Sequence, residues 1–355
     1  MTALASRCGL VGFALLLGAL TAALAAQAQA TKQSAPPPSV EASQYKITGP
    51  FTHENLTLFL IHGPDRIKNR NLLTLQEGLE QKKVVVHETQ QVNELAIENL
   101  SPADEVFVQS GDIVKGGKQD RVIAYDVILP PKSGKMPIAS FCVEAGRWRQ
   151  RGRENAMAFE VSNAQAATKG LKNAVRAEMD QQKVWEDVAQ AQMKLARNEA
   201  LLPAPTTVAS PTSLQLTLEQ LEKATAGHVK KLSPIVQDKN DVIGYAVAVN
   251  GVVEGADVYA SHALFLKVWP MLLKGSAVEA VVEQEKKGTP AKHVTVDTVR
   301  AFLAEAEKGK ASEKDVTNRV RLVKRETKKA SLFISNFEGA AAGQPAPVRA
   351  SYIAR

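Results

Sequence analysis

Sulfur is scarce in this chain, which has two cysteines in 355 residues. Cys8 lies ahead of an apolar N-terminal run. If that run is removed on export, Cys142 stands alone. A single thiol forms no intrachain disulfide, so the exported fold must rest on its core. Aromatic residues make up only 5%. Single-strand nucleic-acid binders place stacking rings beside their cations, so nucleic acid is not the expected partner despite a formal net charge of +7. The six histidines (His53, His62, His87, His228, His262, His293) show no HxxxH or HxH spacing. No metal site is expected and no cofactor is implied. Beyond residue 30, no stretch approaches the roughly 18 consecutive apolar residues that a membrane helix needs. No transmembrane anchor is therefore expected after cleavage.

What is present begins with an address. Arg7, an apolar run from Gly9 to about Ala26 and the small-x-small ending Ala28-Gln29-Ala30 read as a signal peptide over residues 1–30. Its loss removes one basic residue and lowers the charge from +7 to +6. Export to the periplasm or the extracellular space is the expected destination. Residues 31–43, with Pro36-Pro37-Pro38, form a flexible lead. Order is expected to begin near Tyr45, and residues 44–355 are long enough to form one α+β domain with a sizeable core.

The pattern predicts antiparallel hairpins and meanders packed against several helices. Leu56–Ile61 is a strand ended by His62-Gly63-Pro64, and Leu73–Lys82 has helical spacing. Val84–Val86, Leu95–Asn99 and Glu105–Val108 read as further strands. Arg121–Leu129 and Met136–Glu144 read as the arms of a hairpin around the turn Pro130–Lys135. Helical periodicity runs from about Asn163 to Leu202, with Trp185 and Val188 toward the core, and a short helix follows over Thr217–Thr225. Val242–Val249, Asn250-Gly251 and Val252–Tyr259 form a second hairpin. Ser261 caps the next helix, Thr295–Lys308 forms another, and strands flank Lys324–Lys329 and close the chain at Ala350–Ile353.

Two polar runs interrupt this scaffold: Gly116-Gly117-Lys118-Gln119-Asp120-Arg121 and Cys142-Val143-Glu144-Ala145-Gly146-Arg147-Trp148. Antiparallel pairing of the first hairpin places Arg121 and Glu144 together at its base and makes one cluster of both. Three chemistries suit that cluster. Lys118, Gln119, Arg121, Glu144, Arg147 and Trp148 could hold a small anionic or sugar-like ligand, with Arg forking an anion, Trp stacking on a ring and Glu accepting from hydroxyls. Asp120 and Glu144 could act as acid and base in a periplasmic hydrolase of glycosidic or phosphoester bonds. Alternatively, Arg121 or Arg147 could pair with Glu144 simply to lock the hairpin. The preferred reading is an exported ligand-binding or scaffold domain. Gly116-Gly117-Lys118 lacks the spacing, the Ser/Thr and the following helix of a phosphate loop. Cys142, mid-strand, reads as a small buried hydrophobe. The basic runs Arg147–Arg153 and Arg319–Lys329 read as solvated faces.

The two runs, in this order and spacing, resemble the paired signatures of the ARG-and-rhodanese-phosphatase-superfamily-associated protein domain, G-x-K-Q-N/D-R and C-V-E-x-G-R-W. Leu73–Leu79, the helix carrying Gln182 and Trp185, and the Val242–Tyr259 hairpin with Phe265–Trp269 add to the likeness, which is strongest over residues 50–285. Asp120 stands where the pattern commonly has Asn. The resemblance implies an association with nucleotide or ADP-ribose metabolism and names no reaction.

Overall fold

The all-buried strands Leu56–His62 and Val242–Val249 have no polar face because they are covered on both sides. In the computed structural model, which describes residues 41–67, 70–198, 218, 221–285, 293–339 and 345–355, they lie inside an eight-stranded antiparallel sheet. Its order is Lys46–His53, Leu56–His62, Val242–Val249, Val252–Tyr259, Ala346–Ala354, Ala330–Phe337, Val320–Glu326 and Lys310–Asp315. The last of these exposes every side chain of the sequence KASEKD, and a charged edge discourages further strand addition. The helices are α1 (Leu75–Glu80), α2 (Lys169–Asn173), α3 (Gln181–Asn198), α4 (Glu222–Leu232), α5 (His262–Val282) and α6 (Val296–Glu307).

Helix α5 covers one face of the sheet, packing Phe265, Trp269 and Leu272 with Leu58, Tyr245 and Tyr259. Helix α6 covers the other, with Val299 and Leu303 against Phe59, Ile243 and Tyr352. Local chemistry sets the helix starts. The Ser261 side chain accepts from the backbone N–H of Leu264, and Thr74 and Glu77 form a capping box at α1. No helix among the described residues is long and apolar enough to cross a membrane.

A six-stranded sheet carries the polar runs, in the order Phe159–Gln165, Asp112–Gly116, Arg121–Ile123, Gly134–Cys142, Glu94–Asn99 and Val84–Gln91. A small third sheet (Leu73–Thr74, Val106–Val108, Val127–Leu129) shares an apolar core with it through Val86, Ile97, Val108, Ile123 and Leu129. Helix α3 packs Val184, Val188 and Leu195 toward Val122, Phe141 and Val143. The architecture is α+β, as expected.

The Val242–Tyr259 hairpin turns at Asn250 (φ 51°) and Gly251 (φ 74°), left-handed values that an Asn-Gly pair adopts readily. Other expectations need correction. The predicted Arg121–Glu144 hairpin pairs only at its base, Arg121↔Cys142, Val122↔Phe141 and Ile123↔Ser140. Past Ala124 the chain swings away, because Asp126 is drawn into a buried cluster of arginines. Val127–Leu129 then pairs with Val106–Val108, and Met136–Ala139 pairs with Glu94–Ile97. The predicted helix from Asn163 begins instead as the strand Phe159–Gln165, held against Asp112–Gly116. Helix starts only after Thr168, whose side chain caps α2, and is broken by a π-turn at Ala174–Glu178 and left-handed Met179. The short helix predicted over Thr217–Thr225 is observed as α4, shifted to Glu222–Leu232, and part of the predicted span lies outside the described residues. Order also starts slightly earlier than Tyr45: Ala42 is buried, and its N–H reaches Glu307 at 2.8 Å. The predicted signal peptide lies outside the described residues.

Candidate functional site

The two glycines of the first run let the chain reverse between Asp112–Gly116 and Arg121–Ile123. Gly116 (φ 126°) and Gly117 (φ 57°) adopt conformations that a side chain disfavours. A Cβ on Gly117 would also fall 2.4 Å from the Phe159 ring and 2.8 Å from Glu88 Oε2. The turn tucks Asp120 inward, where its Oδ1 accepts from the Gly116 N–H at 2.9 Å. Register then delivers the second run: Asp120 N–H donates to Glu144 Oε2 at 3.0 Å, and Gln119 Nε2 donates to the Glu144 carbonyl at 2.8 Å.

Asp120 and Glu144 are buried, and guanidinium groups occupy their outer oxygens. Arg151 Nη1 lies 3.0 Å from both Asp120 Oδ2 and Glu144 Oε1. Arg147 Nε donates to Glu144 Oε2 at 2.8 Å, its Nη2 contacts the same oxygen, and that Nη2 lies 3.8 Å from Asp120 Oδ1. Glu154 Oε1 in turn accepts from Arg151 Nη2 at 2.8 Å. Burial, then the neighbouring Glu144 charge, pushes the Asp120 carboxyl up to about 6, against the pull of the Gly116 N–H and Arg151.

Arg121 is fully buried and takes a different partner from the one expected. Its Nη2 faces Glu88 Oε2 at 3.6 Å, and Nη1 contacts Cys142 Sγ at 2.9 Å. Cys142 is a buried free thiol, and burial pushes it up to about 11. The indole of Trp148 lies over both cations, 5.1 Å from Lys118 Nζ and 5.4 Å from Arg121 Cζ. Trp148 is 42% exposed, so this ring is the accessible part of the cluster.

All the sequence-singled residues (Lys118, Gln119, Asp120, Arg121, Glu144, Arg147 and Trp148) therefore meet in one place. Sequence reasoning missed Arg151, Glu154 and Glu88. Arg151 lay in a recognised basic run, four residues past Arg147, a spacing that could have flagged it. Glu88 carried no local signal. Among the described residues, no group of three His, Cys, Asp or Glu side chains is placed to hold a metal ion.

This geometry is carried by a recognisable domain. The family model of the ARG and Rhodanese-Phosphatase-superfamily-associated Protein domain matches residues 44–342. The chain belongs to that family. No curated protein and no solved structure matches it. In this family member, the paired signatures form an ion-paired base beneath an exposed tryptophan.

A second charged cluster went unnoticed in the sequence. Asp126 Oδ1 accepts from the Ser110 N–H at 2.7 Å and from Arg349 Nη1 at 3.0 Å. Its Oδ2 accepts from Ser335 Oγ at 2.6 Å and from Arg176 Nη2 at 3.1 Å. Arg349 Nε also reaches Asp257 Oδ1 at 2.9 Å. Burial alone would raise the Asp126 pKa, but Arg176, Arg349 and the two hydrogen bonds outweigh it and hold the carboxyl below its usual range. The π-turn at Ala174–Glu178 carries Arg176, and such turns often mark functional positions.

Proposed function

We propose that this domain is an exported binding module whose ligand, anionic and nucleotide- or sugar-like, stacks on Trp148 beside Lys118. One observation carries the reading: Asp120 and Glu144 are buried beneath Arg147 and Arg151, while Trp148 stays 42% exposed over a lysine ammonium. A hydrolase would need one of those carboxylates to meet substrate, and reaching either would displace Arg151. A half-exposed indole beside a cation is suited instead to a ring that carries negative charge. Arg149 and Arg153, both exposed, extend the positive rim. Export rests on the apolar N-terminal run and its small-residue ending.

The test is a screen of nucleotides, ADP-ribose and sugar phosphates by thermal shift and tryptophan fluorescence, repeated with Trp148→Ala, Lys118→Ala and Glu144→Gln. Binding without turnover predicts a saturable shift that Trp148→Ala abolishes and Lys118→Ala weakens, with the ligand recovered intact. Product formation that disappears in Glu144→Gln would replace this reading with the periplasmic hydrolase. No shift with any ligand would leave the cluster as a lock on the sheet.

A further inference from the structure

Away from these clusters, α2, α3, the Val242–Tyr259 hairpin and the C-terminal end of α5 enclose a cleft of about 370 Å³. Its charged lining is mostly acidic: Asp187, Glu254, Glu279, Glu283 and the exposed Glu285, with Lys169 and Lys194. The lysines are already committed. Lys169 Nζ lies 2.6 Å from Glu254 Oε2, and Lys194 Nζ lies 2.5 Å from Glu283 Oε1. Asp187 and Glu279 have no salt-bridge partner among the described residues.

Glu279 is the decisive group. It is only 2% exposed, and its Oε1 accepts from the Lys169 N–H at 2.6 Å. Its Oε2 is buried with no hydrogen-bond donor. An unsatisfied buried carboxylate oxygen is costly, and a ligand that brings a donor removes that cost. Burial pushes this carboxyl up to about 7, against the nearby Lys172 charge and the Lys169 N–H. Asp187 joins the lining because Gly170 makes room for it: a Cβ there would fall 2.5 Å from Asp187 Oδ1. Ala191, Val249 and Val282 supply apolar lining to the same cleft. Its volume lies within the range of small-molecule pockets and exceeds what a single ion needs.

We propose that this cleft binds a linear aliphatic diamine or longer polyamine. One ammonium donates to Glu279 Oε2, the methylene stem lies along the alanine and valines, and Asp187 is the counter-charge for the second ammonium. An ammonium supplies the donor that Glu279 lacks, and two such groups match Glu279 and Asp187, neither of which pairs with a lysine, while Glu285 lies exposed to solvent.

Calorimetry with 1,4-diaminobutane, and with 1-aminobutane as the one-ammonium control, tests this. At pH 8 the diamine should bind saturably and more tightly than the monoamine. Below pH 7, affinity should fall about tenfold per pH unit as Glu279 takes up its proton. The charged groups around Glu279 are Lys169 and Lys172 of α2, Asp187 and Lys194 of α3, Glu254 of the hairpin, and Glu283 and Glu285 just past the end of α5. Of these, Asp187 is also pushed up by burial. Glu279→Gln should weaken diamine binding at least about tenfold at pH 8 and flatten its pH dependence. Asp187→Asn, nearer the surface, should weaken the diamine and leave the monoamine unchanged, and it carries the test if Glu279→Gln fails to fold. The proposal is overturned by no saturable heat at pH 8, by unchanged binding in a folded Glu279→Gln protein, or by magnesium chloride displacing the diamine at matched ionic strength as well as an amine does.

Discussion

The protein contains two arginine–carboxylate clusters built from the same chemistry in opposite ways. At Asp120 and Glu144, the arginines come from a segment just downstream, and Arg147 and Arg151 remain 14% and 20% exposed. At Asp126, the partners Arg176 and Arg349 come from 50 and 223 residues away and are almost wholly buried. The first cluster is a clasp that water can still reach. The second ties the loop between the two smaller sheets to the eight-stranded sheet and the π-turn. Similar ion pairs differ in consequence according to what is left behind when one partner goes. A carboxylate near solvent can rehydrate, whereas one in the interior cannot.

The sharpest test is Arg349→Ala, which strips Asp126 and Asp257 of a shared cation. A loss of about 4 kcal/mol in urea unfolding is expected, as for other broken buried pairs. A loss below about 1 kcal/mol would show that the interior network is not what joins the sheets.

Titration should separate the clusters by sign. A carboxyl whose folded pKa lies above its unfolded value holds its proton more tightly when folded. Its contribution is full below the unfolded value and is lost as pH rises through the folded one. Asp120 and Asp112, both pushed up to about 6 mainly by burial, behave this way between about pH 4 and pH 6. Asp126 is depressed, so its contribution is present above its unfolded value and is lost as pH falls through its lower folded value. A rise from 3.8 to about 6 corresponds to about 3 kcal/mol at 1.36 kcal/mol per pH unit. Stability measured by urea unfolding should therefore decline from pH 4 to pH 7. Asp120→Asn should make that slope shallower, with the shares of Asp112 and Glu279 remaining, while Asp126→Asn should leave it and blunt the loss in stronger acid. Equal slopes in all three proteins would remove the distinction.

Arg151→Ala is expected to cost about 2 kcal/mol, less than Arg349→Ala, because Arg147 remains and water enters. Matching losses would mean that the clasp is as dry as the interior. The smallest effect on stability belongs to Trp148→Ala, within about 0.5 kcal/mol for an exposed side chain. A thermal melt checks this, and a large loss would make the indole a structural cover in place of a binding surface.

The readable parts of the fold have local causes. Asn250-Gly251 specifies its turn, Ser261 and Thr295 specify helix starts, and the β-favouring runs at Leu56 and Val242 specify buried strands. The meeting of the two polar runs was legible because antiparallel register follows from strand and turn. Glu88 was not, because it arrives from a strand that two others separate from that of Arg121 in the sheet. The swing at Ala124–Asp126 was hidden for a related reason: Arg121–Leu129 has an unbroken strand-like pattern, and only the distant Arg176 and Arg349 draw Asp126 inward. The helical spacing after Asn163 likewise gave no hint that its first residues pair with Asp112–Gly116.

The α+β class, the family signatures and the closeness of Asp120 to Glu144 follow from the order of residues, because each depends on neighbours along the chain or on strand register. Long-range packing sets which guanidinium meets which carboxylate, leaves Trp148 open while Arg121 is sealed, and leaves Glu279 with an oxygen that has no donor. Those outcomes depend on burial. Burial sets the strength of each charge interaction and depends on the whole packed chain at once.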